Sequence, residues 1–190
     1  KIGTVIIEFK DTFEETISKR DPSSTQKHIA LAAHEGRPTK KNVTSRMVKT
    51  ENEIKIYYDM LQAHRTHLNL KTQSFEAFRD KITELNKHNV GGVLLAFHND
   101  IPVSGVMYTC FNGWIYNLGV ANTQYSLKNK LSSLDYLRCT LISLGIEYNC
   151  KYFELSGISL NPTNDKELGI KHSQTKWGGK IVEFNRYSNI

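Results

Sequence analysis

The spacing of apolar and polar residues along the 190-residue chain changes period several times, and each change predicts an element. Thr4 to Phe9 is rich in β-branched residues and reads as a strand. A helical pattern runs from about Thr12 through Glu35. It is interrupted at Asp21-Pro22-Ser23-Ser24, because proline disfavours the α conformation of the residue before it, so two helices are expected. Gly36-Arg37-Pro38 ends the second, and a short extended segment is expected near Thr39 to Thr44. Thr50 and Glu53 have capping-box spacing ahead of Ile54, Tyr57, Tyr58, Leu61, Arg65 and Leu68, a one-sided stripe of helical period. Ser74 caps a further helix whose Phe75, Phe78, Ile82 and Leu85 recur at three- and four-residue steps, until Asn89 and Gly91-Gly92 stop it.

The pattern then becomes flat. Val93 to His98 is a continuous apolar run, Asn99-Asp100 turns it, and Val103 to Phe111 runs back. Asn112-Gly113 tolerates the positive φ values of a type I′ hairpin turn, and Trp114 to Val120 returns as the third strand of an antiparallel meander. A polar loop from Ala121 to Lys130 leads to a helix with Leu131, Leu134, Leu137, Leu141 and Leu144 on its buried side, begun by Ser132 or Ser133 and closed by Gly145. Tyr152 to Leu155 is the next strand. Because a helix separates it from the third meander strand, the two are expected to lie parallel. A short helix near Asp165 to Gln174 and a last strand, Lys180 to Arg186, complete the order.

Composition narrows the class. With 39% hydrophobic and 23% charged residues the chain is expected to pack a core as one domain, 1–190, either complete in itself or one half of a two-domain protein. No apolar run approaches the ~18 residues that cross a bilayer, and the first residues do not form a secretory signal, so a soluble, cytoplasmic chain with no membrane span is expected. Cys110, Cys139 and Cys150 lack CxxC spacing and are an odd number, against a disulfide framework or a zinc site and in favour of a reducing compartment. His64 and His67 stand at i and i+3 without a third ligand, so no metal is expected. The formal charge of +6 favours polyanionic partners, yet no basic helix or aromatic array of a sequence-reading nucleic-acid module stands out. No nucleophile-elbow glycines accompany the serines and cysteines, which argues against hydrolase chemistry.

Strand-strand-strand-helix-strand-helix-strand is the order of the Gcn5-related acetyltransferase superfamily, and local sequence adds to it. Trp114-Ile115-Tyr116-Asn117-Leu118-Gly119-Val120-Ala121-Asn122 resembles the aromatic strand and small-residue turn of the Fem-type peptidoglycan-bridge aminoacyltransferases and their FemAB-like relatives. Gly145 followed by Tyr152-Phe153-Glu154-Leu155-Ser156-Gly157 is similar to their G…Y-D-L-G-G helix end and strand. Gly169-Ile170 and Lys176-Trp177-Gly178-Gly179 resemble their G-I…F-K-x-K-W-G-G ending, and Gln26-Lys27-His28-Ile29 with Ala32 and Gly36 resembles an R-x-x-I-x-x-A-x-x-x-G helix. The resemblance implies an α/β, Gcn5-like acyltransferase fold: a mixed, mostly antiparallel sheet with one parallel crossover pair and helices on both faces. It also implies transfer of an activated acyl or aminoacyl group to an amine acceptor in assembly of a cell-envelope precursor. The donor would be aminoacyl-tRNA, with tRNA as a partner, or acyl-coenzyme A, and no cofactor would be tightly bound.

That reaction needs orientation of amine and ester, oxyanion stabilisation and removal of a proton. In such a fold the third meander strand and the strand after the crossover helix splay apart, leaving unpaired backbone groups between Asn117–Asn122 and Leu155–Ser159. Asn117, Gly119, Asn122, Ser156 and Gly157 are therefore donor-binding candidates, with Lys128, Trp177 and Gly178 beside them. The catalytic candidates are Lys176, His172, Tyr116 and Glu154, the last standing where the family has Asp. The bland reading of each is also open: Tyr116 as a packing residue, Glu154 as a structural acceptor, the glycines as a helix-to-strand turn. Three departures stand out. The loop Thr123–Lys130 has none of the glycines that cradle a coenzyme A pyrophosphate, leaving Lys128 and Lys130 as point-charge contacts. Ser173-Gln174 replaces the family's Phe-Lys pair, with Lys176 or Lys171 as substitutes. The bridge-forming enzymes carry two such domains. The rival readings are an acyl-coenzyme A-dependent N-acyltransferase and a non-catalytic Gcn5-like binding module. A competent site predicts a groove on which Asn117, Ser156 and Lys176 converge; a binding module predicts that groove filled by Trp177 or Tyr116.

Overall fold

The computed structural model describes residues 2–21, 27–66 and 73–184. Along the chain run β1 (Ile2–Glu8), α1 (Phe13–Thr16), α2 (Lys27–His34), β2 (Val43–Met47), α3 (Glu51–Thr66), α4 (Phe75–Lys87) and β3 (Gly91–His98). Then follow β4 (Ile101–Phe111), β5 (Trp114–Asn122), α5 (Gln124–Lys128), α6 (Ser133–Glu147), β6 (Tyr152–Ser159), α7 (Asp165–Thr175) and β7 (Lys180–Phe184). The seven strands among the described residues form one sheet in the order β2-β3-β4-β5-β6-β1-β7. Every neighbouring pair is antiparallel except β5 and β6, the parallel pair that the intervening helix imposes. Pro22 to Ser24, Gln26, His67, Leu68 and the last two residues expected of the final strand lie outside the described residues.

Alternation along the strands splits the apolar residues between two faces. Leu94, Ala96, Val106, Tyr108, Ile115 and Phe153 form one core with α1, α2 and α6, joined by Trp177. Val93, Leu95, Phe97, Met107 and Ala121 form the other with Ile54, Tyr57, Tyr58, Phe78 and Ile82 of α3 and α4. Helices on both faces are thus as the residue pattern requires.

Local signals explain most boundaries. Glu53 N–H donates to the Thr50 hydroxyl, and the Glu53 carboxylate takes the Thr50 N–H, so the capping box at α3 is formed. The hairpin turns Asn99-Asp100 and Asn112-Gly113 both have positive φ at both positions. Two expectations are corrected. The stretch before α6 is not all loop: Thr123 caps the five-residue α5, its hydroxyl accepting the Ser126 N–H. Gly145 does not close α6, which runs two residues further; it is small because a Cβ there would overlap the Phe9 ring.

Candidate active site

The pairing of β5 with β6 is short. Only Trp114↔Tyr152, Ile115↔Phe153 and Tyr116↔Glu154 are in register, although both strands continue well beyond. The reason lies in the strands on either side. On β5, Met107 faces Gly119 while Tyr108 faces Asn117, so Leu118 is an extra residue opposite β4. On β6, Thr4 faces Gly157 while Ile6 faces Glu154, so Leu155 and Ser156 oppose the single residue Val5 of β1. Each strand therefore carries a bulge directly after the last parallel rung, and bulges bend and twist the strand that bears them. Two neighbouring strands bent at the same level part from each other, and their facing backbone groups lose their ladder partners.

Both bulges are held by side chains. Ser156 has φ of 83°, and its N–H donates to Glu154 Oε1 at 2.9 Å. The Thr4 hydroxyl bonds the same Oε1 and the Ser156 carbonyl. On the other strand, the buried Tyr57 hydroxyl donates to the Gly119 carbonyl at 3.1 Å, beside the extra residue Leu118. Burial pushes the Tyr57 phenol well above its ordinary range, so it stays a neutral donor. Its ring passes where a side chain at Gly105 would stand.

Around the splay, Asn117 is 4% exposed and its Oδ1 has no partner among the described residues. Tyr116 is half-buried and stacks on Trp114, with ring centroids 5.8 Å apart. Tyr116 and Glu154 share one face of the last rung, the face that β5 turns toward α3. On that side a cavity of about 270 Å³ lies against the bulge, lined by Tyr58, Leu61, Phe78, Met107, Leu118 and Gly119, with Arg65 and Lys81. At the far end of β5, Asn122 accepts from the Ser104 hydroxyl at 2.6 Å, in a hydroxyl chain with Ser133 at the start of α6 and Ser126 of α5. The turn into α6 puts Lys130 and Ser132 at positive φ, and the Ser132 side chain does not cap the helix. Gly157 is exposed with open space around it.

The ending of the chain is built differently. Lys176 Nζ lies 2.7 Å from Asp135 in the first turn of α6, and Arg138 lies on the other Asp135 oxygen at 3.6 Å while donating to the Ser173 carbonyl. All three side chains are nearly buried, and burial pulls the Arg138 guanidinium downward against the opposing pull of Asp135. Trp177 is 1% exposed and belongs to the main core. Gly178 has φ of 76° and packs on the Lys19 carbonyl, where a Cβ would overlap backbone. Gln174, in place of the family lysine, is buried with Oε1 unpartnered among the described residues. His172 lies on the exposed side of α7 and Lys128 at the exposed end of α5.

The structure thus brings together Tyr116, Asn117, Gly119, Glu154, Ser156 and Gly157 at the splay. It sends Lys176 and Trp177 to the junction of α6 and α7. Thr4, Tyr57, Asp135 and Arg138 were not singled out from the sequence as functional residues. Tyr57 was legible as a member of the α3 stripe, but nothing in that stripe says that its hydroxyl reaches a strand bulge.

Neither a family model nor a curated protein sequence matches the chain. Solved structures do. FemX superposes with a TM-score of 0.71 at 10% identity, over 95% of this chain and 59% of that one. L-PGS from Bacillus licheniformis gives 0.55 at 10% identity, again over 95% of this chain and 59% of that one. An aminoglycoside acetyltransferase from an uncultured soil metagenomic sample, solved with sisomicin, gives 0.54 at 12% identity over 78% of this chain and 97% of that one. The chain therefore shares the fold of FemX, L-PGS and the acetyltransferase, in keeping with the expected strand order, and it spans about three fifths of the length of FemX.

Proposed function

We propose that this chain is an acyl or aminoacyl transferase that holds an activated carbonyl between β5 and β6 and delivers it to an amine acceptor, in cell-envelope precursor synthesis. The observation that carries the reading is the paired bulge directly after three parallel rungs. It exposes backbone N–H and C=O groups at one level of the sheet, next to a cavity of about 270 Å³. The likeness to FemX over 95% of the chain supports it.

In this reading the donor carbonyl lies past Tyr116, where β5 N–H groups freed from the ladder stabilise the developing oxyanion. Asn117 positions the donor from the buried side. Glu154 uses Oε1 for Ser156 and Thr4, and its second oxygen takes the proton from the attacking amine. Tyr116 flanks the acceptor on the same face, and the cavity at Leu118 and Gly119, part apolar and part basic, receives the acyl group or amino-acid side chain. Lys176 contributes through its pair with Asp135, which fastens the α7 end to the start of α6.

Aminoacyl-tRNA is the preferred donor, because the turn into α6 has Lys130 and Ser132 in place of a glycine cradle and the chain carries +6. A second reading, acyl-coenzyme A as donor, is favoured by the uncapped start of α6 and by the acetyltransferase likeness. No described helix is long and apolar enough to cross a membrane; the cytoplasmic location belongs to the proposal, as the compartment in which charged tRNA is found. A thermal-shift titration with acetyl-coenzyme A and, separately, charged tRNA tests the proposal: the donor raises Tm by mass action. Glu154→Gln keeps the Oε1 bonds and is expected to lower kcat by about 10²–10³-fold with little change in donor binding. Stabilisation by neither donor would overturn the reading.

A further inference from the structure

The sulfurs of Cys110 and Cys150 lie 3.2 Å apart, although 40 positions separate them in sequence. Cys110 is near the end of β4, and Cys150 precedes β6, its N–H donating to the Gly145 carbonyl near the end of α6. Ile115 of β5 pairs with Cys110 on one side and Phe153 on the other, so the two thiols meet over the first rungs of the β5–β6 pair. This is the closed end of the pair, opposite the splay. The pair sits at the edge of the main core: Cys150 is 7% exposed and Cys110 is the more open of the two. Cys110 is half-buried, and Cys150 forms part of the wall of a surface cavity of about 400 Å³ that Phe9, Lys10, Asn149 and Lys151 also line. Cys139, by contrast, is fully buried in the main core.

We propose that Cys110 and Cys150 are a reversible redox pair, free as thiols under reducing conditions and joined as a disulfide by a peroxide-class oxidant. The link would fasten β4 to the α6–β6 connection across β5.

The chemistry balances with hydrogen peroxide as the oxidant. The Cys110 sulfur takes one peroxide oxygen, the O–O bond breaks and one water leaves, giving a sulfenic acid. The Cys150 sulfur then attacks that sulfur, the S–O bond breaks, the S–S bond forms and a second water leaves. Two thiols lose two electrons and two protons, and the peroxide is reduced to two waters. Cys110, the less buried of the two, is the sulfur that the peroxide reaches first, and Cys150 is the one that resolves it. A thiol reductant returns the pair to its starting state. The pair stands independently of the transferase reading, since nothing in it involves the splay.

The test uses the full chain, treated with hydrogen peroxide and digested without reduction. The expected product is a peptide pair joined through Cys110 and Cys150, with loss of two hydrogen atoms from the intact mass, reversed by dithiothreitol. Linked protein is expected to melt higher by several degrees, on the order of what closing a loop of this length gives a chain of this size. Cys139→Ser keeps both the link and the shift, whereas Cys110→Ser and Cys150→Ser lose both. Free Cys110 and Cys150 after peroxide treatment, or a link made through Cys139, would overturn the proposal, and the wild-type digest decides this even if a variant fails to fold.

Discussion

Replacing Glu154 with alanine would leave the Ser156 N–H without its acceptor and remove one of the two acceptors of the Thr4 hydroxyl, at a residue already held at positive φ. A buried donor stripped of its partner costs about 1–3 kcal/mol, so urea denaturation of Glu154→Ala should show a loss in that range, while Glu154→Gln keeps most of the stability. The same logic applies to Tyr57→Phe, which leaves the Gly119 carbonyl without the hydroxyl that donates to it. Its expected cost is again about 1–3 kcal/mol, with a larger fall in transfer rate than Phe78→Leu nearby, because only the hydroxyl touches the bulge. Of these residues, Glu154 and Ser156 were readable in the motif around β6. Tyr57 was not, since an aromatic on an apolar stripe carries the same signal whether its tip ends in solvent, in a core or on a backbone carbonyl.

Among elements, α3 shows most directly how sequence fixes a boundary. The Glu53 carboxylate is held down to about 2 from an ordinary 4.5, first by the Lys49 N–H and then by the Arg46 guanidinium and the Thr50 N–H and hydroxyl, against the opposing effect of partial burial. A carboxylate with a depressed folded-state pKa adds stability that is complete above about 4.5 and is lost as pH falls toward 2. Wild type should therefore lose stability across that window more steeply than Glu53→Gln. At neutral pH, Glu53→Gln should cost about 0.5–2 kcal/mol, measured by urea denaturation at each pH. The end of α6 is less legible. Gly145 has the composition of a C-cap, yet it lies inside the helix because Phe9 crosses there, a contact between residues far apart in sequence. The short α5 leaves no helical signal, because its five residues are polar at most positions and too few to establish a period.

At the scale of the whole molecule, one sheet carries all seven strands, and the two ends of the β5–β6 pair have opposite character. The closed end is packed under α6 and holds the Cys110–Cys150 contact; the open end is held apart by two bulges. Asp135 couples this arrangement to the chain's ending, since it is shared by Arg138 of its own helix and Lys176 after α7. Asp135→Ala would leave two nearly buried cations without their carboxylate, and a loss of about 3–5 kcal/mol is expected by chemical denaturation. The Lys176→Met variant should cost less, because it removes a charge together with its need for a partner. Low transferase activity in Asp135→Ala, restored under conditions that stabilise its fold, would identify this triad as a fastening of α7 and not part of the chemistry.

The order of elements along the chain, the antiparallel meander and the parallel pair are legible in the sequence, because period, turn residues and crossover length are local quantities that a chain carries with it; the neighbourhood of Asn117 and Ser156 is marked only by the resemblance of the motifs around them. The tertiary structure alone decided what lies opposite what: that β5 and β6 both bulge at the same level, that Lys176 meets Asp135, that Phe9 crosses Gly145, and that two cysteines far apart in the chain come into contact. Such facts depend on register and on side-chain reach between remote segments. Neither leaves a periodic trace, so the residues that hold the site open became visible only once the strands were laid side by side.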